Sequence, residues 1–155
     1  MMEKKVRVFR PDALMDEYRE LLKDQSIEAL PLLITGNSMS PFLVHQRDTV
    51  YLAKINRPLK TGDAVLYQRD NGSYVLHRIK KIENGCYTMI GDGQFALEKG
   101  IRTDQLIAVM TSCHRKGKLQ KPGCFWWEFF EKVWIHLIPY RKGIVKCVSW
   151  FRKKG

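Results

Sequence analysis

The chain lacks the long apolar runs that membrane-spanning helices need. No uninterrupted apolar stretch reaches about 18 residues, so we expect no spanning helix. The N-terminus, Met-Met-Glu-Lys-Lys-Val-Arg-Val, has no apolar signal-peptide core. Together these two absences predict a cytoplasmic protein.

Closely paired cysteines are missing as well. The four cysteines are scattered, without the short spacing of a zinc site or a redox motif. We therefore expect reduced thiols and neither a metal nor another cofactor. These cysteines are Cys86, Cys113, Cys124 and Cys147.

Acidic residues are scarce toward the C-terminus. The formal net charge is +11, and residues 114–155 hold eleven lysines and arginines against Glu128 and Glu131. The basic character therefore belongs mainly to the tail. A hydrophobic content of 45% argues against disorder, and 155 residues fit one domain with a modest core.

Short apolar runs separated by turn residues dominate the middle of the chain. The run at 27–35 contains Pro31, which favours an edge strand over a central one. Asn71-Gly72 and Asn84-Gly85 lie between apolar runs, which predicts hairpins with type I′ turns. We therefore predict a mainly β, antiparallel body. Its further strands fall at 49–53, 64–67, 74–82, 86–90 and 106–112.

Helical patterns occur only at the two ends. A helix is predicted from Asp12, as N-cap just after Pro11, to about Lys23. Beyond Pro122-Gly123, aromatic and aliphatic residues predict a helix of about 14 residues that ends at Pro139. A second short helix follows at 144–151, ringed by cations. We therefore divide the chain into a β body, 1–121, and a helical tail, 122–155. The apolar face of the first helix comprises Leu14, Tyr18, Leu21 and Leu22.

One serine stands at a predicted tight turn, in Thr-Gly-Asn-Ser-Met-Ser-Pro at 35–41. Gly36 can adopt the positive φ that such a turn requires. The Ser38 alcohol becomes a nucleophile only when an adjacent base removes its proton. His77, in the strand-like segment Tyr-Val-Leu-His-Arg-Ile, is the preferred base.

Strand alternation places Val75 and Ile79 on the same face as His77. This partly apolar setting should lower the pKa of His77 and keep it neutral. Lys80 and Lys81 are the alternative bases, but Lys81 stands four residues along the strand, roughly 13 Å away. We therefore prefer His77.

Four sequence elements occur in one order: Gly-x-Ser-Met-x-Pro at 36–41, Thr-Gly-Asp-x-Val at 61–65, Val-Leu-His-Arg at 75–78 and Gly-Asp at 91–92. In this, the chain resembles the signal-peptidase-like serine peptidases from about Leu33 to about Thr111. It is most similar to their histidine-base branch, and among these to small bacterial members without an N-terminal membrane anchor.

The resemblance implies the signal-peptidase/repressor-type antiparallel β fold and a serine endopeptidase that processes a precursor peptide or protein. Ser38 is then the nucleophile of an acyl-enzyme mechanism and His77 is its general base. Asp92 is the first candidate for the acid that orients the imidazole, and Glu98 is the second. No metal is required.

The oxyanion of that mechanism needs preorganised donors, and the Ser38 backbone N–H is the natural one. Lysine-type enzymes add a hydroxyl two residues before the nucleophile, where this chain has Gly36. Asn37 is a weaker candidate donor. Met39 is expected either to line the site or to belong to the core.

Three other functions stay open. A self-cleaving regulator is disfavoured, because only 37 residues precede Ser38 and none of those before Gly36 is a glycine that could form the usual cleavage site. A catalytically inactive adaptor or membrane-surface module could keep the same fold. Nucleic-acid binding by the tail is not favoured, because no recognition motif accompanies its cations.

The tail has two interpretations. Its aromatic residues either pack against the body or a second copy, or they lie in a membrane interface with the cations on anionic lipid. The second interpretation places the protein at the inner face of the membrane. The residues in question are Trp126, Phe130, Trp134 and Leu137.

Overall fold

The computed structural model describes residues 11–155. Within that range, eight strands form one antiparallel sheet, with a helix before it and helices after it. The predicted mainly β fold is confirmed. The strands are β1 (Leu30–Leu33), β2 (Thr49–Ala53), β3 (Ala64–Gln68), β4 (Tyr74–Glu83), β5 (Cys86–Ile90), β6 (Glu98–Arg102), β7 (Leu106–Arg115) and β8 (Lys118–Gln120). The strand order is β1-β2-β7-β3-β4-β5-β6, and β8 pairs with β7.

The edge strand and one of the two hairpin turns are confirmed. Strand β1, which contains Pro31, lies at the end of the strand order. Asn84 and Gly85 both have positive φ, 51° and 74°, as a type I′ turn requires. The prediction of a type I′ turn at Asn71-Gly72 is wrong, because only Gly72 has positive φ. The Asn71 side chain instead accepts the Ser73 N–H at 3.0 Å, which forms a local Asx turn.

In the described part of the chain, the N-terminal helix, α1, spans Pro11–Lys23. Asp12 lies inside this helix, so the prediction that Asp12 is its N-cap is wrong. Tyr18 is buried, and its hydroxyl donates to the Leu30 carbonyl at 2.9 Å. This bond ties α1 to the edge strand.

Leu22 is also buried, as predicted, whereas Leu21 stays 39% exposed. The Leu14 side chain lies outside the described part of the structure. The same holds for residues 1–8, on which the prediction about a signal peptide depends.

Alternating side chains of β3 face two separate apolar clusters, one on each side of the sheet. Ala64 and Leu66 belong to the first cluster, which also contains residues of the turn around Ser38, here called the serine turn (residues 35–43). Val65 and Tyr67 belong to the second, together with Ile79 of β4. Strand β4 therefore reaches both cores.

The prediction of a helix of about 14 residues in the tail is wrong. Helix α2 (Phe125–Lys132) is followed by two 3₁₀ turns, Trp134–His136 and Ile138–Tyr140. Side chains bind carbonyls in this irregular stretch, since Arg141 donates to the Trp134 carbonyl and Lys80 to that of Ile135. The second helix, α3 (Arg141–Lys154), is longer than predicted.

The first part of the tail is built into the body. Trp127, Phe130 and Trp134 are each at most 5% exposed and belong to the first cluster. The Phe130 ring centroid lies 4.8 Å from that of Phe42 in the serine turn. The boundary at residue 121 therefore does not separate two cores. Among residues 11–155, no helix has both the length and the apolar character needed to cross a bilayer.

We predict that Phe130→Ala lowers the free energy of unfolding by about 3–5 kcal/mol, because it leaves a cavity beneath the serine turn. Urea denaturation of both proteins measures the change. Phe125, on the same helix, is 72% exposed, so Phe125→Ala is the matched control and should stay within about 0.5 kcal/mol of the parent. Equal losses in the two variants would contradict the packing described here.

Candidate active site

The serine turn follows β1 and is held from both ends. Gly36 has a φ of 84°, and its N–H donates to His45 Nδ1 at 2.8 Å. At the other end, the side chains of Phe42 and Leu43 are fully buried. Ser38 lies between these anchor points and is half-buried. The position of Ser38 is therefore fixed by the packing of Phe42 and Leu43 on one side and by the Gly36–His45 hydrogen bond on the other.

Ser38 and His77 line the same cavity, whose volume is about 210 Å³. Met39 lines it too while being 2% exposed, so it serves both the cavity wall and the core. Within the described residues, no hydrogen bond joins the Ser38 and His77 side chains. The structure thus brings the predicted nucleophile and base to one site, without a hydrogen bond between them.

His77 is 1% exposed on the Val75 and Ile79 face of β4. Burial lowers its pKa from 6.5 to about 4, and the nearby Glu98 carboxylate only partly opposes this effect. The predicted apolar setting and its effect on the pKa are confirmed. The imidazole is therefore neutral at pH 7 and can accept a proton.

A hydrogen-bonded chain runs from His77 through Tyr67 to Glu98. The Tyr67 hydroxyl lies 3.1 Å from His77 Nδ1 and donates to Glu98 Oε2 at 2.7 Å. Because the hydroxyl has one proton and gives it to Glu98, its oxygen must accept the Nδ1–H of His77. The hydrogen-bond network thus assigns the Nδ1–H tautomer and leaves Nε2 as the basic nitrogen.

The charges of Arg69 and Glu98 determine the direction of these hydrogen bonds. Arg69 Nε and Nη2 each lie 2.8 Å from a Glu98 oxygen, and this pairing keeps the pKa of Glu98 below its ordinary value. Burial, reinforced by Glu98, raises the pKa of Tyr67 above its ordinary value, so Tyr67 keeps its proton. Glu98, the second acid predicted from the sequence, therefore acts on His77 through Tyr67 at an Nδ1 to Oε2 distance of 3.9 Å.

The prediction that Asp92 orients His77 is wrong. The Asp92 carboxylate is buried and accepts the Arg78 Nε–H at 2.9 and 3.1 Å. Arg78 follows His77 directly on β4, so strand alternation sends their side chains to opposite faces. Asp92 consequently lies across the sheet from the imidazole, with Arg78 as its partner.

The Gly91-Asp92-Gly93 segment instead positions the serine turn. The Gly93 N–H donates to the Ser38 carbonyl at 2.8 Å. A Cβ atom on Gly91 would lie 2.3 Å from the Ser38 carbonyl oxygen, and one on Gly93 would lie 2.7 Å from that of Ser40. Only glycine allows the two loops to approach this closely.

The candidate oxyanion donors differ in their surroundings. No residue between 11 and 155 accepts the Ser38 backbone N–H, so this donor is unpaired within the described structure. Asn37 is exposed and does not line the cavity, so the geometry gives it no support as a donor. Gln94 does line it, and its Oε1 accepts the Gly91 N–H at 3.2 Å, which leaves its amide protons for a ligand.

Three residues of the site were not predicted from the sequence: Tyr67, Arg69 and Gln94. Tyr67 could have been found from the β3–β4 register, in which Val65 pairs with His77. Tyr67 stands two residues from Val65 and therefore shares its face, diagonally opposite His77. Arg69 and Gln94 carry no comparable signal, since both lie in loops whose course depends on the fold.

The two lysines near His77 do not line the cavity. Lys80 donates to the Ile135 carbonyl at 3.2 Å, and Lys81 lies 2.8 Å from Glu83. The geometry therefore favours His77 as the base over either lysine.

Comparisons of the chain with protein-family models, with curated proteins and with solved structures found no match. The description of the site therefore depends on its own geometry. Within residues 11–155, no three or more His, Cys, Asp or Glu side chains group closely enough to hold a metal ion.

We predict that His77 makes folding stability depend on pH. The unfolded chain takes up its proton near pH 6.5 and the folded chain only near pH 4, so the contribution is complete above about pH 6.5. It is lost as the pH falls toward 4, and amounts to about 3 kcal/mol. Unfolding free energies between pH 7 and pH 4 should fall less steeply for His77→Gln. Parallel curves would contradict the buried, neutral imidazole.

Proposed function

We propose that the chain is a serine endopeptidase with Ser38 as nucleophile and His77 as general base. The observation that carries this proposal is that Ser38 shares a cavity with a neutral imidazole whose Nε2 is the basic nitrogen. The order of the four motif elements, which resembles that of signal-peptidase-like peptidases, supports the same conclusion.

In the proposed reaction, Ser38 Oγ attacks the carbonyl carbon of a peptide bond while its proton passes to His77 Nε2. The carbonyl electron pair moves to oxygen, where the Ser38 N–H, assisted by the Gln94 amide, stabilises the negative charge. The tetrahedral species collapses as the C–N bond breaks and His77 returns the proton to the leaving amine. Water, activated by the same imidazole, then hydrolyses the acyl-enzyme.

Tyr67 and Glu98 would stabilise the imidazolium that forms in this reaction. A base with a pKa of about 4 is neutral at pH 7, but it accepts a proton less readily than ordinary histidine. The Glu98 charge favours the protonated state through Tyr67. We therefore assign Tyr67 and Glu98 as positioning residues in place of Asp92.

The resemblance suggests a precursor peptide or protein as substrate. A catalytically inactive adaptor is the second candidate, because no hydrogen bond links Ser38 and His77 in the described residues. Apo enzymes often tighten such contacts only when substrate binds, so this observation alone does not favour the adaptor over the peptidase.

We predict that a fluorophosphonate probe labels the chain at Ser38 and that Ser38→Ala abolishes labelling. Mass spectrometry of the labelled protein identifies the modified residue. Ser40→Ala is the matched control, because it removes a hydroxyl from the same turn and should still be labelled. Cleavage of a peptide library by the parent, and not by Ser38→Ala, then separates a peptidase from another serine hydrolase. A properly folded parent that is neither labelled nor active would contradict the peptidase proposal and favour the adaptor.

We further predict that His77→Ala slows labelling of Ser38 by about 10²–10⁴-fold. In the parent, the labelling rate should fall on the acid side only as the pH approaches 4, where His77 becomes protonated.

Tyr67→Phe should slow labelling about tenfold, because the buried Nδ1–H of His77 loses its acceptor. Nitrogen-15 NMR should find the Nδ1–H tautomer in the parent and a shift away from it in Tyr67→Phe.

Tyr87→Phe is the control for that experiment, because Tyr87 packs against the second cluster away from the imidazole. It should alter neither the labelling rate nor the tautomer. An Nε2–H tautomer in the parent, or an unchanged rate in Tyr67→Phe, would refute the assigned hydrogen-bond chain.

A further inference from the structure

Helix α3 presents an apolar face that the rest of the described structure leaves uncovered. Ile144, Cys147, Val148 and Phe151 recur at the spacing of one helical face. Ile144, nearest the body, packs partly against the first cluster. Farther along, Val148 is 51% exposed and Phe151 is 68% exposed. The contact with the body therefore ends after the first turn.

The rest of α3 is cationic. Lys142, Lys146 and Lys153 lie opposite the apolar face, and Arg152 and Lys154 flank it. Trp150 also flanks it, 53% exposed, with Lys154 Nζ 4.1 Å from its ring centroid. The sequence contains no aspartate or glutamate after Glu131, so no acid in this segment offsets these charges.

We propose that α3 lies on an anionic lipid surface, with Val148, Phe151 and Trp150 entering the headgroup layer and the flanking cations on lipid phosphates. Such a surface supplies both an apolar medium and opposite charge. A second copy would bring two cationic helices together, and nucleic acid offers no apolar layer for Val148 and Phe151. The interfacial role that the sequence suggested for the first tail helix thus moves to α3, because α2 is core.

The attachment of α3 would place the cavity beside that surface. Arg141, the first residue of the helix, is buried and donates to the carbonyls of Gly91 and Gln94, both at 2.9 Å. Gln94 lines the cavity that contains Ser38 and His77. The proposal itself stands on α3 alone and does not depend on peptidase activity.

Co-sedimentation of the full chain with vesicles tests the proposal. The chain should bind phosphatidylglycerol vesicles, bind phosphatidylcholine vesicles weakly, and lose affinity as salt screens the charges. Phe151→Ser should weaken binding to the anionic vesicles about tenfold or more. Arg152→Gln combined with Lys154→Gln, which removes the two flanking cations, should weaken it about 25-fold, at about fivefold per cation.

Matched variants on β8 distinguish vesicle binding by α3 from nonspecific binding. Leu119→Ser changes an apolar residue that is 47% exposed on β8, and Lys118→Gln removes a cation next to it. Neither should alter vesicle binding. Because the altered α3 residues are exposed, thermal unfolding of all variants should match that of the parent.

Four results would overturn the proposal. The first is a full chain that does not bind anionic vesicles at low salt. The second is equal loss of binding in the α3 and β8 variants. The third is a single-stranded RNA oligomer that binds more tightly than the vesicles. The fourth is a dimer in analytical ultracentrifugation that Phe151→Ser dissociates. Serine labelling is independent of each result, so the two proposals can fail separately.

Discussion

The buried ion pair between Arg78 and Asp92 holds the site together. Arg78 comes from β4, Asp92 comes from the glycine-flanked loop after β5, and the same guanidinium also donates to the Gly62 carbonyl at 2.9 Å. Loss of either partner leaves an uncompensated buried charge, which typically costs about 3–5 kcal/mol. The serine turn depends on this pair, because the loop that the pair fixes donates to the Ser38 carbonyl.

Two adjacent side chains of strand β4 have different roles. His77 belongs to the candidate active site, and Arg78 packs in the structure that supports it. His77 points to the second cluster, where Tyr67 and Glu98 set its tautomer. Arg78 points the opposite way and contacts the ring of Phe42, whose centroid lies 5.1 Å from the guanidinium carbon. Two adjacent residues therefore link the candidate base to the serine turn through separate cores, and a one-residue register slip would exchange their environments.

The tail has two physically different parts. Its first part completes the core beneath the serine turn, and the Trp134 indole donates to the Asp92 carbonyl at 2.8 Å. Its second part leaves the body through Arg141 and exposes both apolar and cationic side chains. The tail is aromatic and basic throughout, but near residue 141 its side chains change from buried to exposed.

Local rules predicted the antiparallel strands, the edge position of Pro31, the Asn84-Gly85 turn and the apolar face of His77, because each depends on neighbouring residues alone. The order of the four motif elements, and not local rules alone, singled out Ser38 and His77, which the fold brings to one cavity. Only the tertiary structure decided the partners of long-range groups. Asp92 and Glu98 are both acids near a glycine-rich turn in the sequence, yet one pairs with Arg78 and the other reaches His77 through Tyr67. Strand register and sheet face determine that choice, and both arise from packing between segments far apart in the chain.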